Sequence, residues 1–165
     1  MVSMKWCINQ SKGIKLVEPN ENMSKGYMKL AESSIGTMNR ERGKNDVFSI
    51  SAGYYSMYYA LYGVMINMGI KCEIHTCTIK FMENFLMEFY SEEDVKNIYS
   101  AFKLRNSVQY YVNNIIENFQ IKVLQENVSS FFIKSQAILM SLNENKIREI
   151  RKMFEKETSS GGGDK

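Results

Sequence analysis

Two clusters in this chain combine residue types that can do chemistry. The first is Arg105-Asn106-Ser107-Val108-Gln109-Tyr110-Tyr111. On a helix this spacing puts hydrogen-bonding side chains from Asn106, Gln109 and Tyr110 within about two turns of one guanidinium. A guanidinium can grip a phosphate through two parallel hydrogen bonds, and amide and phenol groups can complete the grip. The residues alone equally allow Arg105 to pair with a carboxylate of the same bundle, such as Glu73 or Asp94. The second cluster is the aromatic run Ser51-Ala52-Gly53-Tyr54-Tyr55-Ser56-Met57-Tyr58-Tyr59-Ala60-Leu61-Tyr62. Tyr54 and Tyr58 are its candidates for stacking or hydrogen bonding beside a ligand, although most tyrosines of such a run serve as core packing.

Other chemistries find little support. The single histidine, His75, lies between Cys72 and Cys77, and this spacing fits no common zinc pattern. Beside a helix start it reads as a cap or packing residue. No Ser-His-Asp or Cys-His set is apparent. Gly161-Gly162-Gly163 precedes no helix, so no phosphate-binding loop is expected. Glu83 and Glu88 are not accompanied by a Glu-x-x-His pair, which argues against a di-iron bundle. Neither a metal nor a cofactor is expected. The three cysteines, Cys7, Cys72 and Cys77, read as free thiols in a reducing cytosol.

These residues need elements to hold them. Pro19 is the only proline, so long helices are possible. Asn20 is a candidate N-cap for a helix carrying Tyr27, Leu30, Ala31, Ser34 and Met38 at three- and four-residue spacing. Residues 40–46 read as a loop. A second helix over about 47–67 is apolar on every side, which places it mid-bundle, and it should stop near Gly69. Its Gly53 and Gly63 should admit a close neighbour. Residues 50–70 are nearly long enough to span a membrane, but their serines, Asn67 and tyrosines favour a buried helix of a protein outside the membrane.

A third helix is expected over 76–90, with Ile79, Met82, Phe85, Leu86 and Phe89 on one stripe. Ser91-Glu92-Glu93-Asp94 opens a fourth, running to about Phe119. A last helix beginning near Asn127 or Ser129 carries Phe132, Ile133, Ala137, Leu139, Met140, Ile147, Ile150 and Phe154. Residues 1–18 lack helical periodicity and read as an extended arm, 19–157 as the bundle, and 158–165 as a flexible tail. The class is therefore all-α, an up-and-down bundle of four to five helices. The net charge of +3 permits nucleic-acid contact without requiring it. The mixed charges from Glu144 to Glu157 read as a solvated helix face.

Residues 19–34 (PNENMSKGYMKLAESS), 51–81 (SAGYYSMYYALYGVMINMGIKCEIHTCTIKF) and 105–111 together resemble the HEPN domain, the higher-eukaryote and prokaryote nucleotide-binding domain. The similarity is to its small stand-alone prokaryotic members and covers about 19–119. It implies a bundle of four or five helices, a homodimer, and a place beside a nucleotidyltransferase partner in toxin–antitoxin or defence systems of the cytoplasm. Active members are metal-independent endoribonucleases with an arginine followed, four to six residues later, by a histidine. In this chain Arg105 and Asn106 keep the start of that motif, and the histidine position falls on Tyr110 or Tyr111. Tyrosine, with an ordinary pKa of about 10, is a poor general base near neutrality. The resemblance therefore implies a non-catalytic or weakly active module binding nucleotide or RNA through Arg105, Asn106, Gln109, Tyr110, Tyr111, Tyr54 and Tyr58. An endoribonuclease toxin using Arg105 with Tyr110 or His75, and a structural interaction bundle, are the alternatives.

Overall fold

The computed structural model describes residues 2–110 and 117–160. Among these the protein is mainly helical. The elements in order are α1 Met4–Asn9, β1 Lys15–Leu16, α2 Glu21–Glu41, α3 Asp46–Asn67, β2 Ile70–Lys71, α4 His75–Phe85, α5 Glu92–Tyr110, α6 Asn118–Ser141 and α7 Glu144–Ser160. The all-α expectation holds at that level.

The helix starts follow local chemistry. Asn20 caps α2, its Oδ1 accepting from the Met23 amide at 2.8 Å, and Asn45 caps α3 in the same way through Phe48. Ser91 and Asp94 exchange hydrogen bonds at the start of α5, where Glu92, Glu93 and Asp94 also favour the positive end of the helix. α3 is the core element, buried on nearly every side and packed against α2, α5 and α6. A Cβ at Gly53 would lie 3.0 Å from Met38 Sδ and 3.3 Å from Leu124 Cδ2. Glycine there lets α2 and α6 close on α3, as its position predicts.

Just past the end of α3 comes Gly69, whose φ is +72°. A side chain would be strained there, and its Cβ would also strike Arg151 Nη1 at 2.2 Å and the Val17 carbonyl at 2.3 Å. Arg151 fills this corner. Its Nη1 donates to the carbonyls of Val17, Met68 and Gly69 at 2.8 to 3.0 Å, tying α7 to the end of α3. No helix among the described residues is long and apolar enough to cross a membrane.

Several expectations need correction. The first 18 residues are not simply extended. Ser3 caps the six-residue α1, and β1 pairs antiparallel with β2, Lys15 opposite Lys71 and Leu16 opposite Ile70. A helix and strands this short carry too few residues for a period to show. Cys7 and Cys77 are not free thiols: they form a disulfide that joins α1 to α4, and among the described residues only Cys72 is free, and it is buried. Disulfides persist mainly in oxidising compartments, so the cysteines no longer argue for a reducing cytosol. The third helix stops at Phe85, short of residue 90. The last helix is two, α6 and α7, broken at 142–143, where the Asn143 side chain accepts from the Lys146 amide. α7 continues to Ser160, so the expected tail is helical at its start.

Candidate functional site

α3 sorts its tyrosines into two lines. Residues four apart lie 40° apart around a helix, so Tyr54, Tyr58 and Tyr62 form one row and Tyr55 and Tyr59 the next. The first row points inward: Tyr54 is 0% and Tyr58 8% exposed. Both rings are taken up by the core, Tyr58 lying against His75, so neither has a face for a ligand base, contrary to the stacking role expected of them. Tyr55 and Tyr59 are half-buried and stack on each other at 5.6 Å between centroids. Burial raises the pKa of Tyr54 and Tyr58 well above that of an ordinary phenol, and pushes Tyr62 up to about 12. All three keep their protons near neutrality.

His75 joins this cluster. It is the first residue of α4, whose start is held by the Cys7–Cys77 bond two residues on. Its ring lies on Tyr58, centroids 4.1 Å apart and planes 5° apart, and its Nδ1 is 2.5 Å from the Tyr54 hydroxyl. Phe102 of α5 closes another side, 6.4 Å from the imidazole and 5.6 Å from the Tyr54 ring. Burial first, and the charge of Arg105 second, hold the imidazole pKa below its ordinary value. The imidazole is therefore neutral near pH 7.

Arg105 lies one turn beyond Phe102 on α5. Its Nη2 donates to Tyr55 Oη at 2.7 Å and its Nη1 to Asn106 Oδ1 at 2.9 Å. Its Nε is buried without a partner. Neither expected carboxylate reaches it. Glu73 is held by Lys71 at 3.0 Å and Lys12 at 3.9 Å, and Asp94 by Lys134 at 2.5 Å. No carboxylate among the described residues forms an ion pair with Arg105.

Of the other sequence candidates, Gln109 lies 40° around α5 from Arg105 and donates to Ser51 Oγ at 3.2 Å. Tyr110 lies about 140° around from Arg105 and is 69% exposed, so it stands apart from the guanidinium. Tyr111 lies outside the described residues. The structure thus brings Arg105, Asn106 and Gln109 to one side of α3, adds Tyr55 and Tyr59, which the sequence did not single out, and sets His75, named there only as an alternative proton carrier or a packing residue, against Tyr54 and Tyr58. The signal for Tyr55 was present in the tyrosine run, but a helix apolar on every side gives no phase from which to tell its inward row from its outward one. That His75 meets this cluster had no signal, because nothing in a sequence separation of 30 residues tells that two helix positions meet.

Two of the grooves among the described residues lie along α5. One, of about 570 Å³, lies between α4 and α5 beside Glu83, Met87, Tyr99 and Lys103. The other, of about 220 Å³, lies between α5 and α6 beside Asn97, Leu104, Val123 and Leu124. Neither includes Arg105, His75 or the tyrosines around them.

No protein-family model matches this chain, and no curated protein matches it.

Proposed function

We propose that this protein binds a phosphate-bearing ligand, a nucleotide or RNA, on the α3–α5 face around Arg105, and that it is a HEPN-like bundle without catalysis or with only weak activity. The observation that carries this reading is the unpaired charge of Arg105. A partly buried guanidinium is costly when no anion balances it. Arg105 has two neutral acceptors, an orphaned Nε and no carboxylate among the described residues. An incoming phosphate supplies the missing charge. Tyr55 and Tyr59 add half-exposed aromatic surface for a base, and stacking on such rings tolerates every base.

The reading is tested by binding of a fluorescein-labelled single-stranded RNA to wild type and to Arg105→Ala. Arg105→Ala should lose most affinity while its thermal melt stays nearly unchanged. A large loss of stability with binding intact would make Arg105 structural instead.

The endoribonuclease alternative needs a proton carrier. Tyr110 stands away from Arg105, and His75 Nδ1 already meets a buried hydroxyl, so the geometry favours binding over cleavage. Cleavage of RNA in the presence of chelator by wild type, and not by Arg105→Ala, would reverse that preference. The homodimer and the nucleotidyltransferase partner belong to the same reading and rest on the resemblance. The interaction-bundle alternative finds its best surface on α6.

A further inference from the structure

We infer that His75 is a second, neutral hydrogen-bond donor to the anionic group held by Arg105, and that Tyr54 is the positioning residue that fixes it as a donor. This rests on the phosphate-binding reading of the α3–α5 face.

Tyr54 is fully buried, and its hydroxyl has one hydrogen-bond partner among the described residues, His75 Nδ1. A buried hydroxyl with one partner must aim its proton at that partner or leave it unmet, which costs more than the bond itself contributes. If Nδ1 carried the proton and donated to Tyr54, the phenol proton would be stranded. The hydroxyl therefore donates, Nδ1 accepts, and the neutral ring carries its hydrogen on Nε2.

The surroundings hold that arrangement. The Tyr58 ring lies flat against the imidazole and Phe102 lies on a further side, which hold the ring plane, and a half-turn that restores that plane would set Cδ2 in place of Nδ1 and lose the Tyr54 bond. His75 is only part-buried, and its Nε2 has no hydrogen-bond partner among the described residues. An N–H without a protein partner, in a cluster that also holds a guanidinium, is complementary to an oxyanion. Tyr55 joins the two groups: its hydroxyl receives Arg105 Nη2, and its ring meets the imidazole edge at 6.1 Å. The positive end of α4, whose first residue is His75, adds to the attraction. Nδ1, the atom that could act as a base, is occupied. This site is built to bind an oxyanion rather than to take a proton from a hydroxyl.

His75 is the only histidine of the chain, so the untagged protein labelled with 15N-histidine gives one imidazole pattern. Two-bond nitrogen–proton correlations near pH 7.5 should show the Nε2–H tautomer in wild type. Tyr54→Phe, verified as folded by its melt, should show both tautomers. The labelled RNA should bind His75→Ala roughly tenfold more weakly than wild type, the size expected for a hydrogen bond to a charged group. His75→Gln, which keeps an N–H donor, should recover most of that loss, and Tyr54→Phe should fall between. An Nδ1–H tautomer in wild type, or RNA binding unchanged in His75→Ala, overturns the inference. If wild type binds no RNA, the phosphate-binding reading itself fails and takes the ligand with it; the tautomer still decides the role of Tyr54.

Discussion

Arg105 Nη2 donates to Tyr55 Oη across 2.7 Å, joining residues 50 apart in the chain. This bond fixes the guanidinium against α3 without neutralising it. Its length makes it the main orienting contact, since the other acceptor, Asn106, is the next residue along the same helix. Tyr55→Phe removes the acceptor and keeps the ring. The loss of one neutral acceptor should cost about 1 kcal/mol of stability. RNA affinity should fall several-fold, because the guanidinium then samples positions from which it must be reordered on binding. Anisotropy titration beside a urea melt separates the two effects. Unchanged affinity would mean that Tyr55 does not position Arg105 for binding.

The imidazole of His75 gives the fold a pH dependence of definite sign. Its pKa in the folded chain lies below the ordinary 6.5, from burial first and Arg105 second. Above that value both folded and unfolded chains hold it neutral. As pH falls through 6.5, the unfolded chain takes up a proton that the folded chain resists, so stability declines. Carboxylates titrate nearer pH 4, which leaves the range between about 6.5 and 5 mainly to His75. Urea melts across that range should show falling stability for wild type and a flatter profile for His75→Gln. A profile equally steep in both would assign the effect elsewhere.

The same residues show what a sequence can and cannot convey. Asn20 as a cap, Gly69 as a stop and α3 as the central helix were legible because each is a local matter of one residue's hydrogen bond, dihedral angle or neighbours in a helix. Arg105 and Asn106 were legible as a pair for the same reason. Tyr55 in place of Tyr54 was a matter of helix phase, which α3 hides by being apolar all round. The approach of His75 to Tyr54, and of Cys7 to Cys77, are tertiary facts with no local trace.

That disulfide closes a loop between residues 70 apart. On the chain-entropy account, a loop of this length restricts the unfolded state by about 4 kcal/mol. Reduction should therefore lower the melting temperature substantially. It should also free α1, since few other elements hold that helix. Cys7→Ala/Cys77→Ala should reproduce the shift and remove the sensitivity to reductant. A melt indifferent to reductant in wild type would show that the bridge contributes little. Because Cys77 lies two residues after His75, reduced protein should also show a broadened imidazole signal.

α6 carries apolar residues on two opposite faces, and the outer one makes a prediction about self-association. Ile121, Leu124, Val128, Phe131, Ser135 and Ile138 are buried against the core. On the other side Phe119, Val123, Glu126, Ser130, Ile133, Ala137 and Met140 are all exposed, Ile133 by 62% and Met140 by 86%. Their spacing alternates four and three without a break, the repeat of a helix that packs along another helix. A solvated helix face should instead be polar. A second copy in parallel register would set Glu126 against Glu126. An antiparallel copy can set Phe119 against Ala137, Val123 against Ile133, and Glu126 against the Ser130 hydroxyl, large beside small and the carboxylate beside a donor. If the protein is the homodimer proposed, this is the surface to break. Ile133→Glu adds a charge at an already exposed position, so the fold should survive with its circular dichroism and melt close to wild type. Sedimentation velocity over a range of concentrations should show a dimer for wild type and a monomer for Ile133→Glu. A dimer in both would place the contact on another face, and a monomer in both would leave this stripe for a different helical partner.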